Sequence, residues 1–347
     1  MRQTGLKATA QKLATGSTVQ DMKNNLIERL QKEGFMTVQY GSGKNAYQVS
    51  LDAYAQMVAR STTREAGNLA RENQLVENGY DLVEMTTHYP TCEECAKFQG
   101  RVYSLSGKDK RFPAIFDTAF KSGYRNIHPN CRHVIVPWIE ELQTNDEIKE
   151  MISKSNKDFE DNRSDAERDL YSKGQALNRQ IRQDKYQYER YKAKLGEDAP
   201  KSFHAFRKMK KAGGEKWSFM QLDYKRRNKL VDNPTLKLPN AESATAADAK
   251  FEKYLFNPKN KDGYAKGVAF DSRLGYNKSN WEGLQNEILN RASLYPTKYV
   301  LTDEHGAKYE QKVIIQGKKD TPANVIVGWR VKNKETWMTT CYIKEVD

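Results

Sequence analysis

Three of the chain's four cysteines gather with two histidines into two short turns, Cys92-x2-Cys95 and His128-Pro129-Asn130-Cys131-Arg132-His133. Thiolate and imidazole are the donors that suit zinc, which takes four of them in a tetrahedron. A Cys-x2-Cys turn aims both sulfurs at one centre, and a His-x2-Cys turn answers from the other side. The spacing predicts Cys92, Cys95, His128 and Cys131 as the ligands, with His133 competing for the fourth place and His88 close enough in sequence to alter the shell. Four protein ligands leave no position for water, so the ion would be structural rather than catalytic. Two other readings are weaker. A redox Cys-x-x-Cys normally opens a helix inside a βαβ pattern, whereas Tyr89-Pro90-Thr91 precedes this pair and no such pattern surrounds it. A disulfide needs an oxidising compartment, and Met1 to Gly5 lacks the apolar core of a secretory signal. Cys341 lies in a strand-like run and reads as a small buried apolar residue.

A chain of 347 residues has room for two or three domains. Its mean hydropathy of -0.89 and hydrophobic fraction of 37% are low for one large globule, so an extended, solvated part is expected. No run reaches the roughly 18 apolar residues of a membrane span, and the expectation is a cytoplasmic protein before any assembly. The formal charge of +13 suits a polyanion such as DNA or RNA, because each cation on a phosphate releases counterions. The same charge also serves simple solubility.

Apolar periodicity supplies the elements. Val19, Met22, Leu26, Ile27 and Leu30 recur at helical spacing behind Ser17 and Thr18, and Gly34 ends that helix. Phe35 to Tyr40 and Ala46 to Val49 form a hairpin about Gly41-Ser42-Gly43-Lys44-Asn45, a string without the spacing of a P-loop. Leu51 to Asn78 is a long helix, with Tyr54, Met57, Val58, Ala66, Leu69 and Ala70 toward the core and Gly79 as its cap. Asp81 to Thr86, Arg101 to Ser104 and His128 to Trp138 read as strands tied together by the ion. With so little apolar core of its own, such a module would draw folding free energy from the metal.

From Ile139 to about Leu230 charged residues, glutamine and tyrosine dominate. Leu170, Leu177, Ile181 and Tyr188 predict two long amphipathic helices broken near Gly196 to Pro200. Tyr186, Tyr188 and Tyr191 are read as packing residues rather than base-stacking ones, and Lys225 to Lys229 as a solvated helix end. Beyond Asn233-Pro234 the pattern changes to a helix at Lys250 to Leu255, another at Trp281 to Ala292, and four strands at Tyr299 to Leu301, Lys308 to Gln316, Ala323 to Val331 and Thr336 to Ile343. The expected fold class is α+β in three parts: a zinc-stabilised mixed domain over 1-138, a long helical hairpin over 139-234, and a C-terminal antiparallel sheet with two helices over 235-347.

Tyr54 to Glu65, Cys92-Glu93-Glu94-Cys95, Gly100-Arg101-Val102-Tyr103-Ser104 and His128 to His133, taken in order, resemble the phage minor capsid and head-morphogenesis proteins related to the F protein of phage Mu. The resemblance implies a component of the virion, made in the host bacterial cytoplasm. It implies a place near the portal and a part in head assembly or DNA packaging, with capsid and portal proteins as partners in an oligomeric particle. It does not imply an enzyme.

Leu238-Pro239-Asn240-Ala241, Tyr254 to Pro258, Lys266, Leu274-Gly275-Tyr276 and Asn280-Trp281 resemble an uncharacterised module of phage head proteins and bacterial polymorphic toxins. Two helices followed by four strands are also similar in architecture to ribonucleases of the barnase, EndoU, colicin D and RelE type. Fold analogy is a weak warrant for activity. On that alternative 235-347 would be an effector with an immunity protein as partner. Lys266 and Arg330 would supply charge, Thr339, Thr340 and Tyr342 hydroxyls, and His305 a base. A binding module is the favoured reading.

Overall fold

A computed structural model describes Ala10, Ala14 to Tyr40 and Gly43 to Val346. It divides into two compact units, Met1–Leu177 and Asn178–Asp347.

In the first unit, helix α1 (Val19–Lys32) starts on a capping box: Thr18 and Asp21 each accept from the other's backbone N–H. Its buried stripe is Met22, Leu26 and Leu30. Strands β1 (Thr37–Tyr40) and β2 (Tyr47–Ser50) form the expected antiparallel hairpin; Gly41 and Ser42 of its turn lie outside the described residues. Helix α2 (Leu51–Glu77) follows at once and stops where Gly79, at φ +77°, lets Tyr80 N–H donate back to Leu75 O. Leu26, Leu30, Val38, Leu51 and Ala55 form one small core from these pieces.

A second core lies under a three-stranded antiparallel sheet. Strand β3 (Leu82–Met85) is central, between β4 (Val102–Ser104) and β5 (Ile135–Pro137), and the single turn α3 (Glu93–Ala96) lies between β3 and β4 in sequence. Val83, Met85, Tyr103, Ile115, Phe120 and Ile135 pack with Leu75 of α2. Helix α4 (Asn145–Ser155) closes this part. Its last carbonyl and two of the chain just beyond it are met by the buried guanidinium of Arg101, which donates to Ser155 O at 3.3 Å, to Lys157 O and to Asp158 O at 2.8 Å. A cation at a helix C-terminus meets the negative end of the dipole.

Two expectations for this unit need correction. The strand predicted over His128 to Trp138 survives only at β5, because the backbone before it is spent on a turn: Asn130 takes φ +65°, Cys131 N–H donates to His128 O, and Val134 N–H donates to the Thr86 hydroxyl. In α2, Leu69 is 38% exposed while Asn68 is buried at 1%. That flank of the helix meets backbone amides, which need a polar partner.

The two long helices expected over 139-234 are four. After α4 come α5 (Asp165–Leu195), α6 (Phe203–Ala212) and α7 (Gly214–Asp232). The break at Gly196 to Pro200 is where it was expected; the further one falls at Gly213, whose φ of +63° and ψ of -140° no helix tolerates. In the second unit Tyr188, Tyr191, Leu195, Phe206 and Met220 form a core in which Tyr191 stacks on Tyr224 with centroids 4.1 Å apart. Tyr188 and Tyr191 are thus packing residues, and Tyr186 is exposed.

The C-terminal part is α+β, as expected. Lys250–Leu255 is one π-helical turn rather than an α-helix, and α8 (Lys261–Leu274), which sequence periodicity did not separate, precedes α9 (Trp281–Arg291). Strands β6 (Thr297–Asp303), β7 (Gly306–Gln316), β8 (Pro322–Lys332) and β9 (Glu335–Ile343) form an antiparallel meander in sequence order. Val313, Ile315, Val325, Val327 and Trp329 face the helices of this part. By strand alternation Ile314 and Ile326 point to the opposite face, yet they are buried too, because α7 lies there with Arg226 donating to Asn324 Oδ1 at 2.8 Å. Arg226 and Arg227 are therefore not a solvated helix end. Arg227 is buried between Asp223 and Asp198, Asp198 also accepts from Arg291 at 2.6 Å, and Tyr295 OH donates to Asp223 at 2.5 Å. None of the described helices is long and apolar enough to cross a membrane.

Candidate metal centre

The end of β3 and the start of β5 are adjacent in the sheet, so the chain segments that leave one and enter the other converge. Cys92 and Cys95 sit at either end of the α3 turn, where Cys95 N–H donates to Cys92 Sγ at 3.5 Å. Opposite them, the His128 to His133 loop is held on α2 by polar contacts. Asn68 donates to Arg125 O at 2.7 Å and to His133 O at 3.4 Å, and its own amide oxygen accepts from Ile135 N–H. Glu65 accepts from Arg125 N–H and from Asn126, both at 2.9 Å, Glu72 pairs with the Arg125 side chain, and Ser61 accepts from Asn130 N–H.

His128 Nε2 lies 3.2 Å from Cys92 Sγ and 3.1 Å from Cys95 Sγ. Cys95 and Cys131 sulfurs are 3.8 Å apart, and Cys131 Sγ is 3.6 Å from His133 Nδ1. The five donors form two overlapping triads, Cys92/Cys95/His128 and Cys95/Cys131/His133, that share Cys95. Two thiolates about 2.3 Å from one tetrahedral zinc would stand about 3.8 Å apart, and a thiolate and an imidazole about 3.5 Å apart. The donor set and its spacing fit such an ion, and all four cysteines are free thiols.

Each histidine has its outer nitrogen engaged. His128 Nδ1 lies 2.7 Å from Pro129 O and His133 Nε2 3.0 Å from Gln99 Oε1, which fixes the tautomer that turns the other nitrogen toward sulfur. His88 packs edge-on against the His133 ring, with its Nε2 3.3 Å from Arg132 O, outside both triads.

The electrostatics describe a cage that holds protons where a cation fits. Hydrogen bonding from the Cys95 thiol and from His128 pulls Cys92 down to about 4 against its burial. Hydrogen bonding from Cys95 and then His133 pulls Cys131 down to about 3. Cys95, between those two thiolates, is pushed strongly upward, and the Cys92 hydrogen bond raises His128 to about 9. A metal ion binds the deprotonated forms, so it would replace the protons on Cys95 and His128. Burial, and then His133, lower His88.

The six candidates in 235-347 do not form one cluster: Lys266, Thr340 and Tyr342 lie together, and Thr339, Arg330 and His305 have other partners. Lys266 Nζ is 3.0 Å from Tyr254 OH and 3.5 Å from Thr340 Oγ1, with the Tyr342 ring 5.8 Å away. Thr339 donates to Gly328 O at 3.1 Å. Arg330 is spent at the β6–β7 hairpin on Asp303, at 2.7 and 2.6 Å, and on Gly306 O. The side chain of His305 is 73% exposed, its nearest ionic partner being Glu304 at 3.5 Å. Sequence reasoning did not single out Asn68, Glu65, Glu72, Arg125 or Gln99. Asn68 carried the one available signal, a polar residue at a core-facing helical position.

Residues 2–212 match the family described as Phage minor capsid protein 2, and residues 237–345 match a domain of unknown function, DUF6883. A "Structural protein" of Lactococcus phage LL-H is 29% identical over 107 residues, a stretch that is 29% of this chain and 29% of that protein. The chain thus matches under a third of its curated relative's length. No solved structure matches.

Proposed function

Since the chain belongs to the phage minor capsid protein 2 family, we propose that it is a structural component of the phage head, stationed near the portal, where it contacts capsid and portal proteins in several copies and assists head assembly or DNA packaging. The observation that carries the mechanical part of this reading is the 3.8 Å approach of Cys95 and Cys131 across the gap between two loops. In this reading Cys92, Cys95, His128 and Cys131 hold one structural zinc ion, which supplies a cross-link between β3 and β5 without redox chemistry. His133 braces Cys131 and is the alternative fourth ligand. The division into a head-morphogenesis part over 1-138, a helical segment over 139-234 and an accessory part over 235-347 belongs to the same proposal.

An effector role for 235-347, with an immunity protein as partner, is the weaker alternative. His305, the only histidine in that stretch, faces solvent beside Glu304, while Lys266 is tied to Tyr254 and Thr340. Two measurements test the proposal. Mass spectrometry of gradient-purified particles should find the chain among the head proteins, and its absence from intact heads would overturn the virion role. Metal analysis of the purified chain should find about one zinc per chain; a metal-free, fully folded protein would overturn the zinc reading.

A further inference from the structure

We propose that Lys266, Tyr254 and Thr340 form an oxyanion site on the C-terminal unit, which takes a backbone phosphate of single-stranded nucleic acid. The ammonium of Lys266 is half-buried and forms no ion pair among the described residues. Its neighbours are neutral: Tyr254 OH at 3.0 Å, Thr340 Oγ1 at 3.5 Å, and the ring faces of Tyr254 and Tyr342 at 5.2 and 5.8 Å. Each hydroxyl accepts from the ammonium and so keeps its own proton to donate elsewhere. An ammonium and two hydroxyl donors then converge with no carboxylate among them. The complement of such a set is a tetrahedral oxyanion bound by charge-assisted hydrogen bonds.

The backbone under this cluster is irregular in a way that fixes its position. Tyr254 belongs to the π-helical turn Lys250–Leu255, a geometry that is rare and recurs at functional sites. Helix α8, which carries Lys266, lies directly on that turn. A Cβ at Gly263 would stand 2.1 Å from Tyr254 O, and one at Gly267 would stand 2.0 Å from Leu255 O. Both positions require glycine, and the second is the neighbour of Lys266. This close approach holds the lysine against Tyr254 instead of leaving it to wave in solvent.

Two observations favour nucleic acid as the source of the phosphate. Lys250 Nζ lies 6.0 Å from the centroid of the Tyr254 ring and adds a second cation. The chain as a whole is strongly cationic at +13, which draws a polyanion to any such site. The inference is independent of the metal centre.

The test uses the full chain, a fluorescently labelled single-stranded oligonucleotide and inorganic phosphate as competitor, read by anisotropy. Lys266→Gln should raise Kd roughly tenfold and lower the salt dependence by about one contact's worth. Lys298→Gln, which removes the same charge from exposed strand β6, should change Kd less than twofold. Tyr254→Phe and Thr340→Val alter no charge and should each weaken binding several-fold, with thermal melts unchanged to show that the fold persists. Millimolar phosphate should displace the oligonucleotide from the wild type. Equal effects of Lys266→Gln and Lys298→Gln would overturn the site, as would full affinity in both hydroxyl variants. Phosphate binding without any oligonucleotide binding would overturn the nucleic-acid assignment.

Discussion

Cys95 and Cys131 hold their sulfur atoms 3.8 Å apart, one on the short turn that follows β3 and the other on the loop that leads into β5. Thirty-six residues separate them in the chain. Cys95 is also the member common to both donor triads. It should therefore be the most sensitive position: Cys95→Ser should abolish zinc binding. Chelation of the wild type should reproduce the loss and lower Tm by more than about 10 °C, since about 1 kcal/mol moves Tm by about 2–4 °C in a domain of 150–250 residues. Atomic emission on the two proteins and a thermal melt with and without chelator check this.

The two histidines should separate. His128→Ala removes the imidazole that faces both Cys92 and Cys95, and the purified variant should contain no zinc. His133→Ala removes a group that braces Cys131 and is itself held by Gln99. It should retain about one zinc with affinity lowered roughly 10–100-fold. The reverse result, metal lost only with His133, would make His133 the imidazole ligand in place of His128.

Asn68 binds the backbone on either side of the His128 to His133 turn, at Arg125, His133 and Ile135, from a buried site on α2. Asn68→Ala leaves those groups unpaired and should cost about 1–3 kcal/mol in urea unfolding. Asn68→Leu should be no better, although leucine is the better helix former. A neutral effect of both would mean that the loop is positioned by the other contacts alone.

Asp81 links β3 to the chain after β4, accepting from Ser104 Oγ at 2.6 Å and from Ser106 N–H at 2.7 Å. Burial alone would raise its pKa, but these hydrogen bonds outweigh burial and hold the carboxyl below its ordinary value. The native state thus binds fewer protons than the unfolded chain near that pKa. The stabilisation is complete above the unfolded value and is lost as pH falls through the native one. Asp81→Asn should be destabilised near pH 7, and the gap to wild type should narrow below about pH 4. Chemical denaturation at the two pH values measures the gap.

Residues 235–347 alone should not fold, whereas 178–347 should melt cooperatively. Cutting at 235 removes Asp198, Asp223 and Arg227, leaving Arg291 and Tyr295 without their buried partners, and uncovers Ile314 and Ile326. Within the full chain, Arg227→Met should cost about 3–5 kcal/mol, because it strands Asp223 as a buried charge. Circular dichroism melts of the two fragments and the variant decide it. A cooperative transition from 235–347 would show that α7 is dispensable.

The gathering of cysteines and histidines was legible because its logic is local: two short turns with soft donors at fixed spacing need no knowledge of what lies between them. The four strands of the C-terminal meander were legible for a similar reason, as each alternates or runs apolar between turn residues. Helix α8 escaped because Gly263 and Gly267 weaken its helical pattern; those glycines are there for the Lys250–Leu255 turn, which is a partner and not a neighbour in pattern. Arg226 and Arg227 looked like a solvated end because basic residues at a helix terminus usually are. Only the packing of α7 on the sheet turns them inward.

Sequence alone determined the kinds of donor, the four strands of the C-terminal sheet and the resemblance to phage minor capsid proteins, since these depend on residue type and short-range spacing. The tertiary structure decided which polar residues are buried, and against what. Asn68, Arg101, Asp198 and Arg227 satisfy groups far away in the chain. A buried polar group is chosen by the partner it must meet, and that partner appears only once distant segments are brought together.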